Sequence, residues 1–399
     1  MSRQLTRHQM TILILSLMAT SIGQSLVFAI LPPLGREVNL GELQITSIIT
    51  LSSLVFAFAS RRWGRLSDKL GRKPIIITGL VGYTVGTVIF TSVFYAGLTG
   101  VLSGLTLYGV LLLARSSQAL VMSATAPTVA AYAADNSSQD KRTSTMAKLG
   151  TANSMGTILG PAVSGLLATL GLLAPLYFAG ALSATAAILA WRQLPATPRA
   201  QITARQTTTK LRYTDPRIVR YLASAIGLFI GFSGIQQTLG FQLQDKLSLT
   251  GIQTAQMTGA ALMVSAMLTF TMQVTVMQRL KLKAGQFVRL GLLSALLGAL
   301  FIANFETFPV LAVGMGFLGV AMGLCMPAIS AGASLAVNPE EQGAAAGLVS
   351  SCPAIGFIIG PITASFLYQI HGPLAALFSG SVFFIVLLAL VIVERRNPS

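Results

Sequence analysis

Long apolar runs separated by short polar segments set the plan of this chain. They lie near 10–32, 43–61, 74–95, 100–132, 144–169 and 174–194, and again near 218–243, 253–279, 286–304, 308–336, 342–369 and 373–393. Each is long enough to cross about 30 Å of hydrocarbon as a helix. A backbone in lipid must satisfy its own hydrogen bonds, so the pattern predicts an all-α membrane protein of twelve transmembrane helices. The run at 10–32 follows a basic segment and lacks a small-residue cleavage site, so it reads as the first span and not as a removed signal. One long polar stretch, Pro195 to Pro216, interrupts the series. It divides the chain into a six-helix half at 1–194, a flexible linker at 195–217 and a second six-helix half at 218–399.

Composition agrees. Mean hydropathy is +0.73 and only 10% of the 399 residues are charged, against about 25% in soluble domains. The net charge of +16 does not mark a nucleic-acid protein, because the basic residues form no single domain. They fall between apolar runs: Arg3 and Arg7; Arg61, Arg62, Arg65, Lys69, Arg72 and Lys73; Lys141 and Arg142; the linker; Arg279 to Arg289; Arg395 and Arg396. The alternate connections hold only Arg36 and Lys246. This asymmetry predicts both termini on the cytoplasmic side of the inner membrane. Cys325 and Cys352 lie in apolar runs with no metal-ligand spacing. Neither a phosphate-binding glycine loop nor a nucleophile–base constellation is present, so no ATP, cofactor, metal or enzymatic activity is expected.

The halves repeat one another. Gly156-Thr-Ile-Leu-Gly160-Pro161 recurs 200 residues on as Gly356-Phe-Ile-Ile-Gly360-Pro361, and Pro127 is matched by Pro327 at the same offset. Internal repeats of this kind characterise secondary transporters. These glycines and prolines are expected to bend the fifth and eleventh helices and let them pack closely where the halves meet.

The stretch Gly64-Arg-Leu-Ser-Asp68-Lys-Leu-Gly71-Arg72-Lys-Pro74 cannot lie in hydrocarbon and reads as a tight turn at the membrane surface. Its first ten residues resemble the loop between the second and third helices in the major facilitator superfamily. Arg115-Ser-Ser-Gln118 resembles the fourth-helix motif, with Ala119 where glycine is usual. Gly156, Gly160, Pro161 and Gly165 resemble the fifth-helix motif of antiporters, and Leu31-Pro-Pro-Leu34 the end of the first helix. Within the superfamily the chain is similar to the twelve-helix drug:proton antiporters. The resemblance implies a monomer in the bilayer that exports a small molecule by alternating access, with protons as coupling ion. It also implies that Asp68 faces the N-terminal end of the eleventh helix, where a helix dipole stabilises a carboxylate. Arg72 is placed to bridge Asp68 and Asp135, a latch broken during transport. The corresponding loop of the second half, Met277 to Lys281, has no acid, so the latch is expected on one side only.

Arg115 is the most informative residue within a span, since an embedded charge is costly and by default functional. All eleven carboxylates fall at or near loops and termini. The first helix, where many drug:proton antiporters carry an acid, reads Ser21-Ile-Gly-Gln24-Ser25. The resemblance implies a drug-like substrate; a positive cavity without an acid favours instead a neutral or anionic metabolite, such as a siderophore. Thr20, Gln24 and Phe28 share one helix face; Asn153, Gln236, Gln237 and Phe241 are further candidates for the pathway, or for hydrogen bonds between helices. An importer, or a receptor without transport, are the alternative readings.

Overall fold

A computed structural model of the chain describes residues 5–137, 139–195, 211–280 and 282–396. Most of the linker expected at 195–217 therefore lies outside the described residues. Among those described there are fourteen α-helices and no strand. They are α1 Arg7–Glu37, α2 Glu42–Leu70, α3 Arg72–Leu98, α4 Gly104–Met122, α5 Thr125–Asp135, α6 Gln139–Leu167 and α7 Ala174–Gln193. The series continues with α8 Val219–Leu247, α9 Gly251–Thr271, α10 Met277–Arg279, α11 Ala284–Ala303, α12 Phe308–Leu335, α13 Gln342–Ile370 and α14 Leu374–Arg396. The pairs α4–α5 and α9–α10 each form one span, so twelve spans result. The first pair is interrupted just ahead of Pro127, and the second by a π turn at Met272–Val276. Eleven of the twelve are long and apolar enough to cross a membrane. The other, α6, is less apolar: beyond its charged first turns it carries Thr151, Asn153, Ser154, Thr157, Pro161 and Ser164 among its glycines.

Helix starts follow the sequence closely. A glutamine three residues into the helix returns its side-chain oxygen to the capping N–H at Thr6, Gly41, Thr250 and Lys283, at 2.9–3.1 Å. This is the capping-box device, with a neutral amide where glutamate is common. The chain thus satisfies exposed helix ends without adding acids.

The polar stretch at 64–74 differs from its expected form. Gly64 through Leu70 are helical and complete α2; only Gly71, at φ +98°, breaks the chain before α3 begins at Arg72. Arg, Lys and Leu are strong helix formers, so charge alone does not end a helix that leaves the membrane. A positive φ does, and glycine adopts it without strain.

The chain forms two compact units. One holds α1–α7 with residues 250–259, and the other holds α8, the rest of α9 and α10–α14. In the first, Ile12, Leu13, Leu80, Tyr132, Leu149 and Ala187 form one apolar cluster of α1, α3, α5, α6 and α7. Each unit also has a tight crossing built by the repeated motif. In the first, the Ser25 hydroxyl donates to the Gly156 carbonyl at 3.2 Å. In the second, Ser233 donates to Gly356 at 2.9 Å. A Cβ at Gly160 would lie 2.6 Å from the Ile22 carbonyl oxygen, and one at Gly360 2.2 Å from that of Ile230. The glycines of both repeats therefore make their closest approach to the first helix of their own unit, α1 or α8. Pro161 and Pro361 follow within helix α6 and α13.

Candidate functional site

A small open recess lies within the first unit, lined by Gln24, Val27 and Phe28 of α1, Ile49, Ser52, Ser53 and Phe56 of α2, and Arg115, Ala119 and Met122 of α4 and its end. Three residues singled out from the sequence, Gln24, Phe28 and Arg115, thus meet at one wall. The α2 contribution was not anticipated. Its signal was Ser52-Ser53 in the middle of an apolar run, with Phe56 one turn on.

Arg115 is 6% exposed. One guanidinium nitrogen donates to the Gln118 side-chain oxygen, one turn along α4. Gln118 in turn donates to the Thr87 hydroxyl of α3 at 2.6 Å, and Thr87 donates to the Tyr83 carbonyl at 2.7 Å. The Phe90 ring lies 5.7 Å below the guanidinium carbon. This chain fixes the side chain but leaves its charge uncompensated. Arg115 Nε has no partner, and no ion pair forms to it among the described residues. The two basic residues of the sparse connections are accounted for otherwise: Arg36 pairs with Glu42 at 2.8 Å, and Lys246 donates to the carbonyls of Ala303 and Phe305 at the end of α11. A buried, positioned cation beside phenylalanines, a glutamine and two serines suits an amphipathic molecule that presents an acceptor or a negative charge.

The other candidates are placed differently. Thr20 is buried and spends its hydroxyl on the carbonyls of Ser16 and Leu17. Asn153 receives a 2.6 Å hydrogen bond from Ser21, which ties α6 to α1. In the second unit, Gln236 and Gln237 of α8 are buried. The Gln236 side-chain carbonyl and both amide atoms of Gln237 lack a partner among the described residues. Phe241 is fully buried beside the Tyr368 ring, at 6.0 Å, and acts in packing.

Two ionic clusters flank the helix ends. In the first unit Arg72, itself buried, reaches Asp68 at 2.6 Å, Asp135 at 2.9 Å and the Ser67 hydroxyl at 2.6 Å. One guanidinium thus joins the end of α2, the start of α3 and the end of α5. Gly64 is a turn away, and a Cβ there would only touch Pro127 at 4.0 Å. Replacing Arg72 with alanine is expected to lower stability by about 1–2 kcal/mol, the modest figure reflecting the exposure of the two acids. Lysine should restore only part, since it lacks the fork that engages three groups. Thermal unfolding of both variants in detergent checks this.

The second cluster was not expected. Arg217 donates through its side chain to Asp215 at 2.8 and 3.1 Å and to Glu341, 124 residues on, at 2.8 and 3.1 Å. Hydrogen bonds from Arg217 hold both carboxyls below their usual range, and the two acids raise Arg217 further. With both acids depressed, their contribution persists above the ordinary carboxylate range and is lost only as pH falls through the depressed values. This cluster lies at the entries to α8 and α13, away from the loop Met277–Lys281 that corresponds in sequence to Gly64–Lys73.

Comparison with known proteins places this geometry in a family. The model of the Major Facilitator Superfamily matches residues 13–284 and 277–399, so the chain belongs to that superfamily. It is a multi-pass membrane transporter, not an enzyme. It is 25% identical to Multidrug resistance protein 2 of Bacillus subtilis (strain 168) over 97% of this chain and 96% of that one. Tetracycline resistance protein, class E, of Escherichia coli is 24% identical, over 90% and 87%. Among solved structures, a bacterial homologue of the human lysosomal transporter Spinster superposes with a TM-score of 0.76 at 13% identity, over 97% of this chain and 96% of that one. The nucleoside transporter NupG gives 0.75 at 15% identity, over 97% and 99%.

Proposed function

We propose that this protein is a secondary active exporter of small organic molecules that are drug-like and neutral or anionic, driven by proton exchange. The observation that carries the substrate class is Arg115: a buried cation, aligned by Gln118, at the wall of an open recess and without a carboxylate partner among the described residues. A permanent cation would meet like charge there, whereas a carboxylate or a carbonyl-rich molecule would compensate it. The direction rests on the drug-resistance relatives and on the antiporter-type run Gly156 to Gly165 in α6.

Gln236 and Gln237 add amide groups from α8 to the pathway. Both termini lie in the cytoplasm, and the halves at 1–194 and 218–399 alternate access as a monomer. The cluster of Asp68, Arg72 and Asp135, with Gly64 and Gly71 shaping the helix ends, forms a cytoplasmic latch. Gly156, Gly160 and Pro161, and their repeats Gly356, Gly360 and Pro361, provide the crossings on which each half holds its shape.

Accumulation assays test the reading. Cells that make the protein should retain less of an anionic fluorescent probe than cells without it, and a protonophore should erase the difference. Greater accumulation in the producing cells would mean import; a difference that survives the protonophore would exclude proton drive.

A further inference from the structure

The exposed face of α2 changes character along its length. Between Ile45 and Ser60 the exposed residues are Leu51 and Phe58, the latter at 69%. They are two turns apart and share a face. Ile49, Ser52, Ser53 and Phe56, which line the recess, lie on the opposite face. Because α2 continues as a helix to Leu70, the next step of seven residues on the exposed face is Arg65. Arg61, Arg62 and Lys69 flank it within an arc of about 100°. All four cations are exposed, and none forms an ion pair or a side-chain hydrogen bond among the described residues. The one acid of this stretch, Asp68, is engaged by Arg72 at the edge of the face. Leu66 and Leu70 are exposed beside the cations, so the extension is amphipathic.

A turn would scatter these charges, whereas the helix lines them up over about 12 Å from Arg61 to Lys69. The extension is also pinned. The Trp63 indole N–H donates to the Leu120 carbonyl at 2.6 Å, which ties it to the end of α4, and Arg72 holds its last turn through Asp68 and Ser67. Arg61, Arg65 and Lys69 are spaced four apart, and like charges at that spacing destabilise a helix. An anion lying along them removes that cost. One kind of molecule matches the whole face. An acyl chain lies along Leu51 and Phe58, and the phosphate at its head falls among the arginines, whose forks take phosphate oxygens in pairs. A soluble acidic partner would match the cations but not the apolar side chains in line with them.

We propose that this face of α2 is a binding site for an anionic phospholipid. Arg61, Arg62 and Arg65 hold the phosphate, and Lys69 adds a further positive charge beside it. The bound lipid relieves the repulsion among the cations and so steadies the helical end that presents Asp68 to Arg72. The site is separate from the recess, and it depends on neither the substrate class nor the direction of transport.

Energy transfer from Trp63 tests it. The chain has two tryptophans, so Trp191→Phe leaves Trp63 as the sole donor. This full-length protein is placed in phosphatidylcholine nanodiscs with rising fractions of pyrene-labelled phosphatidylglycerol, or of pyrene-labelled phosphatidylcholine as the neutral match. Transfer to the anionic lipid should saturate at a low fraction, and transfer to the neutral lipid should rise only in proportion to its amount. Arg65→Gln should raise the half-saturating fraction about fivefold, and glutamine at all four positions should make the two lipids equivalent. Glutamine is a good helix former and the four positions are exposed, so α2 should persist. Arg279→Gln, Lys283→Gln and Arg289→Gln together should leave saturation in place, and excess glycerol phosphate should not displace the lipid. Equal transfer to the two lipids without further substitution would overturn the proposal. So would saturation that survives the fourfold change, equal loss on removing the three distant cations, or displacement by glycerol phosphate.

Discussion

Replacing Arg115 with alanine is expected to abolish transport while leaving the protein folded in the membrane. The side chain is buried, and its guanidinium is held by Gln118 and, through it, by Thr87 of the neighbouring helix. That arrangement commits the cation to one direction before any substrate arrives, so little ordering remains to be done on binding. Removing one partner of a buried charge contact costs about 2–5 kcal/mol, or roughly 30-fold to more than 10³-fold in affinity. Lysine should recover only a small part. It keeps the charge but cannot hold the Gln118 oxygen and present a planar fork to the substrate together. Gln118→Ala should fall between the two, because it removes the orienting contact and leaves the charge. Efflux rates at several probe concentrations, with membrane abundance measured alongside, check all three.

The second large effect concerns shape. Gly360→Ala is expected to leave little folded protein. The new Cβ would lie 2.2 Å from the Ile230 carbonyl oxygen and 2.4 Å from the Ser233 hydroxyl, and the nearer atom is backbone, which cannot rotate away. Gly160→Ala is expected to be nearly as severe, with the Ile22 carbonyl at 2.6 Å. Overpacking of this kind costs about 1–3 kcal/mol and more where the backbone must move. It would also separate the helices joined by Ser25–Gly156 or Ser233–Gly356. Gly150→Ala and Gly343→Ala are matched controls on α6 and α13, with nothing within 4 Å of the added carbon. They should be tolerated, because alanine is the better helix former where space is open. Yield of monodisperse protein in detergent separates the two pairs. Equal loss in all four would refute the close-packing account.

The controls also show why parts of the molecule were legible in the sequence. The twelve spans follow from the length of the apolar runs; the repeated motif marked two close contacts but pointed to where the halves meet, whereas its glycines pack against α1 and α8 within their own units. The cluster around Arg72 was foreseeable because Asp68 and Arg72 are one turn apart and Asp135 ends a span. Arg217 and Glu341 were hidden for the opposite reason. They are 124 residues apart, with no shared periodicity, and only the tertiary fold brings the start of α8 to the start of α13.

The recess was legible in half. Spacing put Gln24 and Phe28 on one face of α1, but it could not say which face of α2 would meet them. Thr20 shares that spacing yet turns its hydroxyl to its own helix, as threonine does when no other acceptor is nearer. The charges of 64–74 predict a turn, yet α2 continues through them to Leu70. Backbone conformation at Gly71, not polarity at Arg65 or Lys69, decides where that helix ends.

The central claim is that Arg115 makes the recess selective for acceptors and anions over cations. Inside-out membrane vesicles carrying the protein, energised with an imposed proton gradient, test it most directly. A carboxylated fluorescent dye and a permanently cationic dye of similar size are offered side by side. The account predicts gradient-dependent accumulation of the carboxylated dye, lost in Arg115→Ala, and little accumulation of the cation. Strong accumulation of the cation that persists in Arg115→Ala, with no accumulation of the anion, would contradict it.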